Sequence, residues 1–245
     1  MSPDAVPLLQ VDSLVKRFGG FRALDTLSFT VGVGEILGLV GPNGSGKTTC
    51  INVISGLYPP DSGTIYFKGR SIGGLPSHYL AHAGINRTFQ VPRPFHTLTV
   101  RENIEIARAY GRGPNGGPEI ETLLASLDLA AFADQPAGEL NSAHQKMLDL
   151  ARALATGPQL LLVDELAAGL NPAELERVAE KLKELARNGI ALIVVEHLMG
   201  FIDQITDRII VMNAGKEIFE GRLAEAARNA QVVEVFLGDG DEHAA

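Results

Sequence analysis

The sequence predicts an α/β fold with a mixed sheet, and three observations carry the prediction. Residues 35–40 (EILGLV), 160–163 (LLLV) and 190–195 (IALIVV) are short apolar runs without polar alternation, as expected of strands buried on both faces. Segments of helical spacing lie between such runs, and alternating strands and helices indicate a sheet covered by helices. A glycine-rich loop, residues 41–49 (GPNGSGKTT), joins the first of these strands to a helix.

Taken in order, residues 8–14 alternate loosely and 27–31 read as a second strand. The buried strand at 35–40 and its loop lead to a helix over 48–57. Residues 64–68 (TIYFK) are β-branched and aromatic, which predicts another strand. Pro and Gly punctuate 69–76, and 85–89 fits a short strand. The texture changes at Pro92. Residues 100–110 and 119–129 have helical spacing, and a Gly/Pro connector, 111–118 (GRGPNGGP), joins them. Met147, Leu148, Leu150, Ala151, Leu154 and Ala155 follow i, i+3/i+4 spacing and predict a helix anchored on a core. Then come the strand at 160–163, a charged helix at 172–188 and the strand at 190–195. Residues 208–213 and 216–220 flank Ala214-Gly215 as a hairpin. The expected organisation is one domain: a core of about 5–91 and 156–238, a helical subdomain of about 92–155, and a disordered tail at 239–245.

Composition narrows the class. The chain has 245 residues, 45% hydrophobic and 20% charged, which suits a globular protein with a real core. A formal charge of −8 carries no nucleic-acid footprint, so no nucleic-acid partner is expected. The one cysteine, Cys50, fits a reducing cytosol and reads as a small buried residue. No apolar run approaches bilayer length, and MSPDAVPLLQ lacks the basic start and apolar stretch of a signal peptide.

Gly41, Pro42, Asn43, Gly44, Ser45, Gly46, Lys47, Thr48 and Thr49 fit G-x-x-x-x-G-K-[ST] between a strand and a helix, the context that motif requires. Its glycines let backbone N–H groups form an anion nest, and the helix N-terminus adds partial positive charge. Lys47 can reach the β- and γ-phosphates, the Thr48 hydroxyl can hold Mg²⁺, and Thr49 can touch a phosphate. The alternative is a glycine-rich turn, but a chance match in this length is on the order of one per cent. The strand at 160–163 ends in Asp164 and Glu165. Both would face the crevice where open α/β sheets bind ligands, Asp164 toward Mg²⁺ and Glu165 as the base that orients water. Acidic residues that merely end a strand are the competing reading. His197 could contact the γ-phosphate, Gln90 the metal and the attacking water, and Phe18 could stack on adenine. Alone, a histidine such as His197 is more often structural, Gln90 reads as a solvated loop residue, and Phe18 reads as readily as a core aromatic.

Together these residues resemble the ATP-binding subunit of an ABC transporter, over nearly the whole chain. Phe18, GPNGSGKTT at 41–49, Gln90 in RTFQ, LLLVDE at 160–165, AAGLNP at 167–172 and His197 in VEH carry the resemblance. It implies a P-loop ATPase with a RecA-like core, an antiparallel β region and a helical subdomain. It also implies ATP and Mg²⁺ as cofactors, and a head-to-tail dimer with each ATP between one chain's phosphate loop and the other's signature segment. GINRTFQVPRPFHTLTVRENIEIA at 84–107, VVEHLM at 194–199, DRIIVMNAGKEIFEG at 207–221 and VVEVFLG at 232–238 resemble the branched-chain (hydrophobic) amino-acid uptake branch. That resemblance implies a second homologous ATPase subunit, two integral membrane permeases, an extracytoplasmic solute-binding protein, and a peripheral position on the cytoplasmic face of the membrane. It places a permease loop near Gln90 and Phe95. Exporter ATPases of the lipopolysaccharide-export type and non-transport ABC ATPases are the alternatives.

Three departures stand out. Leu166 replaces the proline usual in this branch, and Asn171 replaces an aspartate. In the family a Leu-Ser-Gly-Gly-Gln signature precedes a helix ending Ala-Arg-Ala-Leu. Counting back from 151–154 aligns Asn141 with the serine, Ser142 and Ala143 with the glycines, and His144 with the glutamine. Ala143 puts a methyl where the backbone would approach a phosphate, and Asn141 exchanges a hydroxyl for an amide. The resemblance aims this segment at the partner's nucleotide, which predicts a heterodimer with unequal sites.

Overall fold

The structure, a computed structural model, describes residues 6–111 and 116–238. The middle of the predicted connector, 112–115, and the predicted tail, 239–245, lie outside the described residues.

The chain opens with β1 (Leu9–Phe18), β2 (Phe21–Val31) and β3 (Ile36–Val40), then α1 (Lys47–Ile54). Next come β4 (Ser62–Phe67), β5 (Arg70–Ser71), α2 (Ser77–Ala83) and β6 (Ile85–Arg87). A helical stretch follows: α3 (Val100–Gly111), α4 (Ile120–Ser126), two 3₁₀ turns (Ala130–Phe132 and Ala137–Glu139) and α5 (Ser142–Ala155). The remainder is β7 (Leu160–Asp164), α6 (Pro172–Arg187), β8 (Ala191–Val195), α7 (Met199–Ile205), β9 (Arg208–Asn213), β10 (Lys216–Gly221), α8 (Leu223–Ala226) and α9 (Ala230–Gly238). Among the described residues the strands form a four-stranded antiparallel sheet, β2-β1-β4-β5, and a six-stranded sheet, β10-β9-β3-β8-β7-β6, antiparallel only between β9 and β10.

The unbroken apolar runs are explained by what each face meets. Side chains alternate across a strand. Leu37 and Leu39, Leu160 and Leu162, and Ala191, Ile193 and Val195 join the core shared with the antiparallel sheet and α1. Ile36 and Val40, Leu161 and Val163, and Leu192 and Val194 join the core shared with α5, α6 and α7. Both faces are buried, so these strands are apolar up to Asp164, the one charged residue, at the C-terminal end of β7. Each large side chain so buried contributes about 1.5–3 kcal/mol.

Register then sets the site. Leu39 of β3 and Asp164 of β7 both pair with Val195 of β8. The C-terminal ends of these three parallel strands therefore lie level, and the segments that follow them emerge side by side. The turn at Ala214-Gly215 has φ of 46° and 79°, which fits the two-residue hairpin with both central residues left-handed.

Several boundaries differ from the sequence expectation for identifiable reasons. β1 runs on to Phe18 through register shifts against β2, so its alternation is broken. α1 stops at Ile54, just before Gly56 at φ 72°. The helix expected over 119–129 ends at Ser126, since Asp128 turns left-handed at φ 57°. α2 lies in a short exposed segment where only Leu80 is buried, too little to create a periodic signal.

Candidate nucleotide-binding site

The loop at 41–46 leaves β3 and Lys47 opens α1. Two of its glycines are sterically required. A Cβ on Gly46 (φ 107°) would lie 2.5 Å from the Ala23 carbonyl oxygen, and one on Gly41 would lie 2.2 Å from that of Met212. The Ser45 amide donates to the Pro42 carbonyl at 3.2 Å, and the Ser45 carbonyl accepts the Gly215 amide at 2.9 Å, which ties the loop to the β9–β10 turn. The Lys47 ammonium folds back onto the loop, donating to the carbonyls of Gly41 (2.7 Å) and Pro42 (2.8 Å), with Ser45 Oγ at 3.5 Å. Cys50, on the inner face of α1, is fully buried, and burial pushes its thiol up to about 12.

Asp164 ends β7 with 2% exposure. Arg87 Nη2 donates to its Oδ2 at 3.4 Å, while Oδ1 is buried without a hydrogen-bond partner among the described residues. Burial raises the Asp164 carboxyl above its ordinary range, opposed first by Arg87, with Glu165 adding to the rise. Glu165 is half-buried and left-handed at φ 50°. Both its carboxylate oxygens are engaged: Gln90 Nε2 donates to Oε2 at 2.7 Å, and His197 Nε2 lies 3.1 Å from Oε1.

A cleft of about 370 Å³ is lined by Phe18, Asn43, Gly44, Gly46, Lys47, Thr48, Thr49, Gln90, Glu165 and His197, while Gly41, Pro42, Ser45 and Asp164 are not part of its lining. Phe21 and Ala23 complete its lining. Phe18 is partly exposed at the end of β1, with Tyr58 edge-on at 5.2 Å. A family model described as ABC transporter matches residues 24–168, which spans the loop, Gln90 and the acidic pair. The chain belongs to the ABC transporter family. It is an ATP-binding cassette, and cassettes of this family hydrolyse ATP. The probable branched-chain amino acid transport ATP-binding protein LivG of Archaeoglobus fulgidus is 38% identical over 248 residues, 96% of each chain. The high-affinity branched-chain amino acid transport ATP-binding protein LivG of Salmonella typhimurium is 36% identical, over 95% of this cassette and 98% of its own length. A solved nucleotide-free ABC-transporter cassette superposes with a TM-score of 0.86 at 34% identity, covering 94% of this chain and 99% of that one. A cassette in its ADP conformation gives a TM-score of 0.85 at 34% identity, covering 96% and 100%.

Elsewhere in the cassette, Asn141, Ser142, Ala143 and His144 begin α5, and none of the four lines the cleft. Asn141 caps the helix, its Oδ1 accepting the His144 amide at 2.8 Å. One of the amides at this helix start is thereby already engaged. The His144 ring lies 4.2 Å from that of Phe132, tilted by 42°.

Three groups at the site escaped the sequence reading. Arg87 bridges Asp164 to Asn52 Oδ1 (2.6 Å) and lies 4.7 Å over Phe89; no motif marks it. Lys146 and Glu196, 7% and 2% exposed, hold the chain just after Asp164. A signal for Lys146 was present: it stands four residues before Leu150 on the apolar stripe of α5, where a charge has no reason to be unless it is paired.

Proposed function

We propose that this cassette powers uptake of branched-chain or other hydrophobic amino acids through a membrane permease, from the cytoplasmic face of the membrane. The supporting observation is end-to-end similarity, 33–38% identical, to subunits that carry that description in both archaea and bacteria. No helix among the described residues is long and apolar enough to cross a membrane. The assembly read from the resemblance contains two integral membrane permeases, a second homologous ATPase subunit and an extracytoplasmic solute-binding protein.

In this reading Phe18 stacks on adenine, and the amides of 41–46 with the start of α1 cradle the phosphates. Lys47 exchanges the Gly41 and Pro42 carbonyls for the β- and γ-phosphate oxygens, and Thr49 contacts a phosphate. Asp164 Oδ1, an acceptor without a donor among the described residues, would accept from the hydration shell of Mg²⁺, and Thr48 and Gln90, which line the cleft, would complete the metal's surroundings. When bound, that ion neutralises charge on the β/γ oxygens. Glu165 orients and deprotonates the attacking water, and His197 contacts the γ-phosphate. Gln90 and His197 each take one acceptor site on Glu165, one per oxygen, and a carboxylate has about four, so they orient the group while a site remains for the water.

Asn141, Ser142, Ala143 and His144 would face the partner's nucleotide. With a methyl at Ala143 and the His144 amide held by Asn141, that site is the slower one. The site on this chain's own loop hydrolyses at full rate if the partner's signature is intact. Glu165→Gln in the trapped heterodimer is expected to abolish most turnover; survival of most turnover would overturn the unequal-site reading. Purification from native membranes should recover two permeases and a second ATPase. Recovery with ribosomes or DNA-repair proteins would overturn the uptake reading.

A further inference from the structure

The chain just after the acidic pair is gripped by two buried charges that come from other elements. Lys146 stands on α5, two residues past the segment 141–144, and its Nζ donates to the carbonyls of Glu165 (2.9 Å), Leu166 (3.2 Å) and Ala168 (2.5 Å). Glu196, directly after β8, fills the gap in that series: its Oε1 accepts the Ala167 amide at 2.6 Å. Four successive residues are thus fixed through their main chain. The first of them is Glu165, whose left-handed backbone (φ 50°) is unfavourable for a non-glycine residue and persists only when its surroundings impose it. The Glu165 amide, donating to the Val195 carbonyl at 2.9 Å, completes the hold.

Burying a lysine and a glutamate that bond to main-chain groups rather than to each other is a poor device for stability, because their desolvation is costly. Burial lowers Lys146, with Glu196 and Glu165 opposing that fall. What the two charges accomplish here is geometric. We infer that Lys146 and Glu196 are positioning residues for ATP hydrolysis: they set the backbone of 165–168, and with it the direction of the Glu165 carboxylate. Because Lys146 rides on α5, a shift of the helix start at 141–144 is transmitted to the turn that carries Glu165. The stance of the partner-facing segment thereby influences alignment in this chain's own site. The inference rests on the reading of Glu165 as the group that orients water and, for this link, on the partner-facing reading of 141–144.

The test uses the assembled transporter in vesicles and the variants Lys146→Met, Lys146→Arg, Glu165→Gln and the double variant Lys146→Met/Glu165→Gln. ATP turnover and ATP affinity are measured separately, with single-turnover assays of radiolabelled ATP for the slow variants. Lys146→Met should lower kcat about tenfold or more while ATP affinity stays within about twofold. Lys146→Arg, which keeps the charge and the donors, should recover most of the loss. Added to Glu165→Gln, Lys146→Met should cause no further fall, since it acts only through that carboxylate. Near-normal kcat in Lys146→Met, an equal loss of affinity and kcat, or a full additional loss in the double variant would each overturn the inference. An active Glu165→Gln would instead sink the role assigned to Glu165, and the inference with it. Should Lys146→Met fail to fold, Lys146→Gln, which retains fewer donors, is judged by the same split.

Discussion

At Asp164 function and stability pull apart. Its carboxyl is buried, one oxygen has no donor among the described residues, and the other meets Arg87 at a long 3.4 Å. Holding that charge in the interior costs free energy, which is why burial raises its proton affinity. Asp164→Asn removes the charge at nearly constant shape, and Arg87 keeps Asn52 Oδ1 and Ser55 Oγ. Unfolding free energy at neutral pH is expected to change by no more than about 1 kcal/mol, while ATP turnover falls about 100-fold. A urea melt beside a phosphate-release assay checks both. The phosphate loop stood out in the sequence by its motif spacing and the acidic pair by its place at a strand end, whereas Gln90 and His197 drew notice only through their setting and the family resemblance. Their arrangement was not legible. That Gln90 and His197 both turn to Glu165, and that Lys47 lies on its own loop's carbonyls, are contacts between residues up to 75 apart in the chain.

Among the elements, α6 shows how a local rule ends a functional turn. Asn171 Oδ1 accepts the Glu174 amide at 3.0 Å, Glu174 Oε2 accepts the Asn171 amide at 2.8 Å, and Pro172 begins the helix. This capping box closes the stretch that begins at Asp164, so the turn is pinned at both ends. Asn171→Ala should cost about 1 kcal/mol, read as a lowered denaturation midpoint with unchanged ATP affinity. α5 was legible from its apolar spacing, α6 as a charged helix between two strands, and the hairpin from the two strands that flank Ala214-Gly215. α2 and the break at Asp128 were not, because a single buried leucine and one left-handed aspartate leave no periodic trace. α5 carries more than its period reveals. Its start is capped by Asn141, Lys146 holds the turn after β7, and Asp149 Oδ2 accepts the Phe89 amide at 2.8 Å next to Gln90.

For the molecule as a whole, one pH response runs through Glu196. Burial lifts its carboxyl from an ordinary 4.5 to about 7, against the Ala167 amide and Lys146, with Glu165 adding to the rise. Between those values the folded chain keeps a proton that the unfolded chain has released. This group's contribution to stability is therefore full below about 4.5 and declines by ~3 kcal/mol as pH rises through the window. Glu196→Gln should flatten that decline; urea midpoints of wild type and variant, compared at about pH 5 and about pH 7.5, measure the difference. The overall α/β class was legible because doubly buried strands leave unbroken apolar runs, whereas the level ends of β3, β7 and β8 depend on register, which no local pattern encodes. That same sheet has a consequence for how the molecule fails. β3, β7 and β8 form a party wall between two cores, each strand sending alternate side chains to either side. A defect in the wall is felt on both sides at once, so neither core can loosen alone, and the machinery at the strand ends is lost only together with the whole.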